Sequence, residues 1–175
     1  MTYEENCKID KDHIATPKYI VESIFDLINI KQFSSIWFPF DNYDSPFKLK
    51  ADELGLNYKA THKFDSEDDD FFTTQPPKYC DLMISNQPFS LQNEIIERSF
   101  KLIDDQLIKS FALLLPLSTL ETPFRAKFYE KYENKISIII FKKRIKFLGC
   151  KTSFNKACCW ICYNIPTLQN KLMWI

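Results

Sequence analysis

Polar and aromatic side chains cluster directly after three apolar runs of this 175-residue chain. Segments 41–45, 65–70 and 86–90 follow the runs 34–40, 57–64 and 80–85, in that order. If the runs are strands of a parallel sheet, these segments meet outside the carboxyl ends of the strands, where such sheets bind ligands. Their carboxylates, amide and aromatic rings are groups that hydrogen-bond to a ligand and pack against it. The simpler alternative is a loop in which Asn86 caps a helix and Phe89 belongs to the core.

Cysteine and histidine do not form a recognisable metal motif. Cys158, Cys159 and Cys162 are close in sequence, but alternation along a strand points Cys159 and Cys162 to opposite faces, so they do not chelate one ion together. His13 and His62 are far apart and are each expected at the surface or at a helix cap. We predict no metal site.

The elements that must position these residues alternate between helix and strand. This order predicts an α/β fold, with a mainly parallel sheet, helices on both faces and a C-terminal antiparallel hairpin. The chain length fits one domain, residues 1–175. Helices are predicted over 16–28, 47–54, 91–103 and from Ser118 or Thr119 to about 132, and strands over 34–40, 57–64, 80–85, 110–117, 136–141 and 158–164.

Composition excludes several classes of protein. Gly55 and Gly149 are the only glycines, which excludes a Walker A loop and a G-x-G-x-x-G dinucleotide turn. No apolar run reaches the ~20 residues that span a bilayer, and the polar segment 1–12 is unlike a signal peptide. We therefore expect a cytoplasmic protein without membrane contact, whose six cysteines are thiols.

Charge is unevenly distributed along the chain, although its net charge is zero. Residues 1–88 carry 16 acidic and 9 basic residues, whereas residues 89–175 carry 7 and 14. This asymmetry favours a polyanion as partner of the second half. The alternative is an internal dipole that the fold itself compensates.

The segment Asp81–Ser90, DLMISNQPFS, resembles the D-x-x-x-x-N-P-P-F/Y motif of S-adenosylmethionine-dependent methyltransferases, above all the N6-adenine DNA methyltransferases. The resemblance implies methyl transfer to an adenine amine in nucleic acid, with DNA favoured over RNA. Asn86 and the backbone carbonyl of Gln87 would accept hydrogen bonds from the amine. Pro88 belongs to the same catalytic motif, and Phe89 would stack on a flipped base.

Further segments resemble those enzymes in the same order and imply a binding site for S-adenosylmethionine. Thr16-Pro17 resembles an element that lines the cofactor pocket, and Asp70-Phe71 resembles a pair that holds the cofactor's adenine. An element of the form W-x-P-F-D-x-x-x-S contributes Pro39, Asp41 and Ser45. The whole arrangement resembles a short methyltransferase-like family found in phage genomes, which implies a single Rossmann-like methyltransferase domain in the host cytoplasm.

A basic segment near the C-terminus is predicted to contact nucleic acid. Residues 144–147 resemble an R-I-x-F element whose aromatic residue, here Phe147, helps to wall the target-base pocket. If the segment is extended, Lys142, Arg144 and Lys146 share one face and match a phosphate-tracking strip. The alternatives are a solvated edge strand for the cations and ordinary strand core for Phe147.

Two departures from the family pattern leave other functions open. Gln87 replaces a proline, which loosens a rigid turn, and residues 40–45 lack the glycines that usually approach the cofactor. A second hypothesis is therefore a non-catalytic module that binds nucleic acid or a host protein. A third is methylation of a small molecule or of a protein amide.

Overall fold

The computed structural model describes residues 15–42, 44–63, 65–169 and 171–175. Within them the helices are α1 (Lys18–Leu27), α2 (Pro46–Glu53), α3 (Gln92–Asp104) and α4 (Pro123–Lys131). The strands are β1 (Ile36–Phe38), β2 (Tyr58–Ala60), β3 (Cys80–Ser85), β4 (Ile108–Pro116), β5 (Ile136–Ile140), β6 (Cys158–Tyr163) and β7 (Leu172–Trp174).

The strands form one sheet in the order β2-β1-β3-β4-β6-β5-β7. Strands β2, β1, β3 and β4 run parallel, and β6 runs antiparallel to both β4 and β5. The predicted α/β fold with an antiparallel C-terminal pair is therefore confirmed. The pair is not a tight hairpin, because residues 141–157 connect its two strands.

Helices cover both faces of the sheet, as the alternating pattern predicts. On one face α1 and α2 bury Ile24 and Phe47 against β1, β4 and β6. On the other face α3 buries Ile95 and Phe100 against the opposite side of the same strands. Strand β4 lies between parallel and antiparallel neighbours and is buried almost throughout, which is why its sequence, IKSFALLLP, is nearly continuously apolar.

Side-chain caps define where two helices, α2 and α4, begin. The Ser45 hydroxyl accepts from the Lys48 amide at 3.1 Å and caps α2, with Pro46 in the first helical position. The Thr122 hydroxyl caps α4 in the same way, with Pro123 following. The prediction that Ser118 or Thr119 caps this helix is wrong, because the chain first makes a single 3₁₀ turn over Leu117–Leu120.

One strand lies outside the sequence prediction, and one expectation, that all six cysteines are thiols, is wrong. Strand β7 has three residues and lies at the sheet edge with Leu172 and Trp174 exposed, so it lacks the buried alternating face that a sequence pattern detects. Cys150 is disulfide-bonded, whereas Cys80, Cys158, Cys159 and Cys162 are buried free thiols.

Cys159 and Cys162 pack into the opposite cores of the sheet, as strand alternation predicts. Across the described ranges, clusters of three or more potential metal-ligating residues are absent. His13 lies outside the described residues. Among the described helices none has the length and apolar character needed to cross a membrane.

Candidate functional site

A cavity of about 200 Å³ lies at the carboxyl ends of the first three strands in the sheet. Its lining comes from the segments that follow β1, β2 and β3, and from the loop between β2 and β3. The lining residues are Pro39, Phe40, His62, Lys63, Asp70, Phe71, Phe72, Pro88 and Leu91. This is the edge at which an α/β sheet binds its ligands.

Aromatic rings form the walls of this cavity. The Phe71 ring centroid lies 4.8 Å from that of Phe40 and 5.3 Å from that of Phe72. Behind Phe71, the Trp37 ring lies at 5.7 Å and the Arg98 guanidinium carbon lies 5.3 Å from the Phe71 centroid. Arg98 also donates to the Thr74 carbonyl at 2.9 Å, which fixes the 70–74 turn against α3. The walls suit a flat ring system.

Asp70 supplies a carboxylate to the lining of the cavity. Its Oδ1 accepts from the Phe72 amide at 2.7 Å, and its backbone carbonyl accepts from the Thr73 and Thr74 amides. These hydrogen bonds hold the turn that carries Phe71 and Phe72. A carboxylate beside aromatic walls can accept a hydrogen bond from an amino group on a bound ring.

Asp41 lies one residue beyond the cavity wall and is the most deeply buried carboxylate of this edge. Its amide donates to the Thr61 carbonyl at 3.2 Å, extending the parallel pairing of β1 and β2. Its side chain is 8 % exposed and hydrogen-bonds to Ser45. Among the described residues, Asp41 Oδ2 has no hydrogen-bond partner. Burial raises the pKa of Asp41 to about 7, and the Ser45 hydrogen bond partly opposes that rise.

The 86–89 turn leaves the sheet where β3 ends. Asn86 is half-buried, whereas Gln87 is 3 % exposed and its amide nitrogen donates to the Leu114 carbonyl of β4 at 2.6 Å. Pro88 then begins a 3₁₀ turn that leads into α3. Gln87, which is expected to loosen this turn, thus contacts β4 through its side chain.

Phe89 belongs to a cluster of three aromatic rings, formed with Phe147 and Phe154. Its centroid lies 5.4 Å from Phe154 and 6.3 Å from Phe147, and the latter two rings are 5.8 Å apart. Phe147 is 3 % exposed and Phe89 is half-buried. The cluster brings the late R-I-x-F element against the motif that follows β3.

The basic segment runs along the surface next to this cluster. Lys142, Arg144 and Lys146 are exposed, while Ile145 and Phe147 are buried. Residues 142–147 nevertheless form no strand, so the edge-strand alternative is wrong. Phe147 does belong to the hydrophobic core, although not on a strand. The segment is held by backbone bonds instead, from Leu148 to the Ala15 carbonyl and from Phe154 to the Ile145 carbonyl.

The structure thus groups the predicted residues into sets. Pro39, Asp70, Phe71 and Pro88 line one cavity. Asp41 contacts Ser45, and Phe89 contacts Phe147. Thr16 and Pro17 are buried at the start of α1, beside the loop that contains Leu148, and are not part of the cavity lining.

Sequence reasoning missed several residues of this region. His62, expected at the surface or at a helix cap, is 7 % exposed and lines the cavity together with Lys63. Both lie just after β2, which ends at Ala60. The predicted strand, 57–64, is too long at this end and therefore includes them. Phe154 lies far from the motifs in sequence, and no sequence pattern predicts that it belongs to this site.

Comparison of the fold with known structures finds class I methyltransferases. The first is a protein assigned to the class I S-adenosylmethionine-dependent methyltransferases of Listeria monocytogenes, with 15% identity, a TM-score of 0.57, and coverage of 95% of this chain and 67% of that one. The second is a human methyltransferase 10 domain-containing protein, with 14% identity, a TM-score of 0.54, and coverage of 91% and 89%.

A third structure with this fold is assigned as a modification subunit of a type I restriction enzyme from Vibrio vulnificus YJ016, with 11% identity and a TM-score of 0.52. That match covers 95% of this chain but only 46% of the subunit. No protein-family model matches the chain, and no curated protein sequence matches it. The comparisons establish a class I methyltransferase fold for this chain.

Proposed function

We propose that the protein transfers a methyl group from S-adenosylmethionine to an adenine amino group in nucleic acid, with DNA favoured. The observation that carries the proposal is the composition of the carboxyl edge. An aromatic cavity with one carboxylate lies beside a second, buried carboxylate, next to a turn that resembles an amino-methyltransferase motif.

The residues of this edge fit the cofactor. Asp41 Oδ2 is a buried acceptor without a partner among the described residues, and an ammonium group such as that of the cofactor would satisfy it. Phe40, Phe71 and Asp70 would hold the adenine ring and its amino group. Ser45 orients Asp41, while Thr16, Pro17 and Pro39 stay proposed contacts of the cofactor site. When bound, S-adenosylmethionine supplies an electrophilic methyl group on a sulfonium.

The 86–89 turn would orient the acceptor. An exocyclic amine is a weak nucleophile, because its lone pair is delocalised into the ring. Hydrogen bonds from the amine to the Asn86 side-chain oxygen and to the Gln87 carbonyl would hold that lone pair toward the reacting methyl. Phe89 would support the base from within its aromatic cluster. No strong base is required, since the transferred group comes from a cation and the amine can lose its proton afterwards.

Replacing Asp70 with alanine should weaken binding of S-adenosylmethionine by about 1–3 kcal/mol, because a hydrogen bond to the cofactor's amino group would be lost. Calorimetric titration measures this directly. The exposed Asp68→Ala change in the same acidic segment is the control and should leave affinity unaltered. Equal affinities of the parent and Asp70→Ala proteins would remove Asp70 from the proposed site.

The basic segment is the proposed contact with nucleic acid, since Phe147 joins it to Phe89. Phosphate contacts give a log–log dependence of affinity on salt, with a slope near −0.9 per contact for duplex and −0.7 for single strands. Replacing Lys142 and Lys146 with glutamine should therefore flatten the slope by about 1.4–1.8. A double Lys31→Gln, Lys59→Gln protein, changed at two exposed lysines outside this segment, is the charge-matched control. If the slope does not move, these lysines do not touch phosphates.

A non-catalytic binding module is the second candidate function. Its supporting observation is Phe89, whose ring already packs against Phe154 and Phe147. Transfer of a labelled methyl group to adenine-containing duplex, single-stranded DNA and RNA separates the two. Labelled N6-methyladenine supports the enzyme, and binding without any transfer supports the module.

A further inference from the structure

Gln87 makes a contact that a proline at this position could not make. Its side chain is 3 % exposed, and its amide nitrogen lies 2.6 Å from the Leu114 carbonyl oxygen of β4. The other end of the carboxamide, Oε1, is buried without a hydrogen-bond partner among the described residues. The side chain therefore buries a polar group that is held by its hydrogen bond to β4.

The tether lies just beyond the end of the ladder between β3 and β4. The register of these parallel strands runs from Cys80 opposite Ile108 to Ser85 opposite Leu113. Leu114 is the next residue of β4, and at this point β3 has already ended. A backbone carbonyl buried there needs a donor. The Gln87 amide supplies one after the backbone has turned away.

We propose that Gln87 is a positioning residue, whose side-chain tether to β4 replaces the rigidity that a proline gives to related motifs. A proline restricts a turn by fixing its own backbone torsion. Gln87 restricts the same turn by anchoring it to β4, a strand that is buried almost throughout. The inference rests on the proposed function, because the groups so positioned are the Asn86 amide and the Gln87 carbonyl.

The chemistry of the tether predicts how substitutions behave. Methionine at position 87 has similar length but no donor, so it keeps the packing and removes the anchor. Proline at this position also removes the anchor, but it restricts the turn by fixing its own backbone torsion. Gln87→Met should therefore loosen the turn, and Gln87→Pro should restore its order by the other route.

The test compares the parent, Gln87→Met and Gln87→Pro proteins in two measurements. Methyl transfer to an adenine-containing oligonucleotide should show kcat lowered about tenfold or more in Gln87→Met, with unchanged affinity for S-adenosylmethionine and near-parental kcat in Gln87→Pro. Hydrogen exchange of the amides of residues 86–91 should be faster in Gln87→Met and slow again in Gln87→Pro. Gln32→Met is the matched control, because Gln32 also donates to a backbone carbonyl, that of Ile28, far from the turn.

The two measurements separate the possible failures. If the parent protein transfers no methyl group, the proposed function fails, and the exchange data alone decide whether the tether orders the turn. If Gln87→Met keeps parental kcat and parental exchange, the inference is overturned. A loss of kcat in Gln87→Met that Gln87→Pro does not recover, despite a well-ordered turn, would instead assign the side chain a direct role and also overturn it.

Discussion

Replacing Asn86 with alanine is expected to lower turnover by about 10²-fold or more while affinity for S-adenosylmethionine stays the same. Asn86 directly follows the last residue of β3, so a rigid, buried strand fixes its backbone. Its side-chain oxygen would hold the amine only as the lone pair turns toward the methyl group. Such an interaction stabilises the transition state much more than the ground state, so its loss lowers kcat.

Two variants sharpen this measurement. Asn86→Asp keeps an acceptor oxygen and should lose less turnover than Asn86→Ala. Asn57→Ala is the control at the opposite edge of the sheet, where the Asn57 amide donates to the Ser34 carbonyl, and should turn over like the parent. Equal turnover of the parent and Asn86→Ala proteins would remove Asn86 from the reaction.

Cofactor affinity is expected to fall steeply as the pH drops below 7, by about tenfold per pH unit. Burial raises the pKa of Asp41 to about 7 in the free protein, so its carboxyl group is neutral below that pH. A neutral carboxyl group cannot pair with an ammonium ion, and a bound cation would pull the pKa down again. Binding therefore releases a proton at acidic pH, and calorimetry in buffers of different ionisation enthalpy measures that release.

The raised pKa of Asp41 also predicts how the stability of the free protein depends on pH. Because the pKa of Asp41 is higher in the folded than in the unfolded state, its stabilising contribution is complete below about pH 4 and is lost as the pH rises through about 7. The shift corresponds to a loss on the order of 4 kcal/mol in the free energy of unfolding. Denaturation at a series of pH values measures this contribution.

Asp41→Asn removes the titrating group and is the decisive variant for both effects. Its cofactor affinity should be low and nearly independent of pH between 5 and 8, and its free energy of unfolding should not show the decline that ionisation of Asp41 causes as the pH rises through about 7. Asp44→Asn, at an exposed carboxylate three residues away, is the matched control and should behave like the parent. A parent protein whose cofactor affinity is flat from pH 5 to 8 would exclude Asp41 as the ligand of the ammonium group.

Sequence patterns predicted the architecture because local propensity and burial agree there. The run 80–85 is the strand β3 to the residue, and the 34–40 run contains β1. Apolar runs that end in polar residues marked the carboxyl edge, and Asp70, Phe71 and Pro39 do line one cavity there. Alternation alone also placed Cys159 and Cys162 in different cores.

Contacts between distant segments could not be predicted in the same way. The bond from Gln87 to Leu114 joins residues 27 positions apart, and its existence depends on where β3 leaves the sheet. Phe154 reaches Phe89 only because the long 141–157 connection folds back over the edge. Residues 142–146 are exposed except for Ile145 and form no strand, because backbone bonds to other segments hold this part of the chain.

The most direct test of the proposed chemistry is calorimetric titration of the parent protein with S-adenosylmethionine at pH 8, where Asp41 is largely ionised. The account predicts saturable binding at one site, weakened in the Asp41→Asn and Asp70→Ala proteins and unchanged in Asp44→Asn. A folded parent protein that takes up no S-adenosylmethionine at that pH would contradict it.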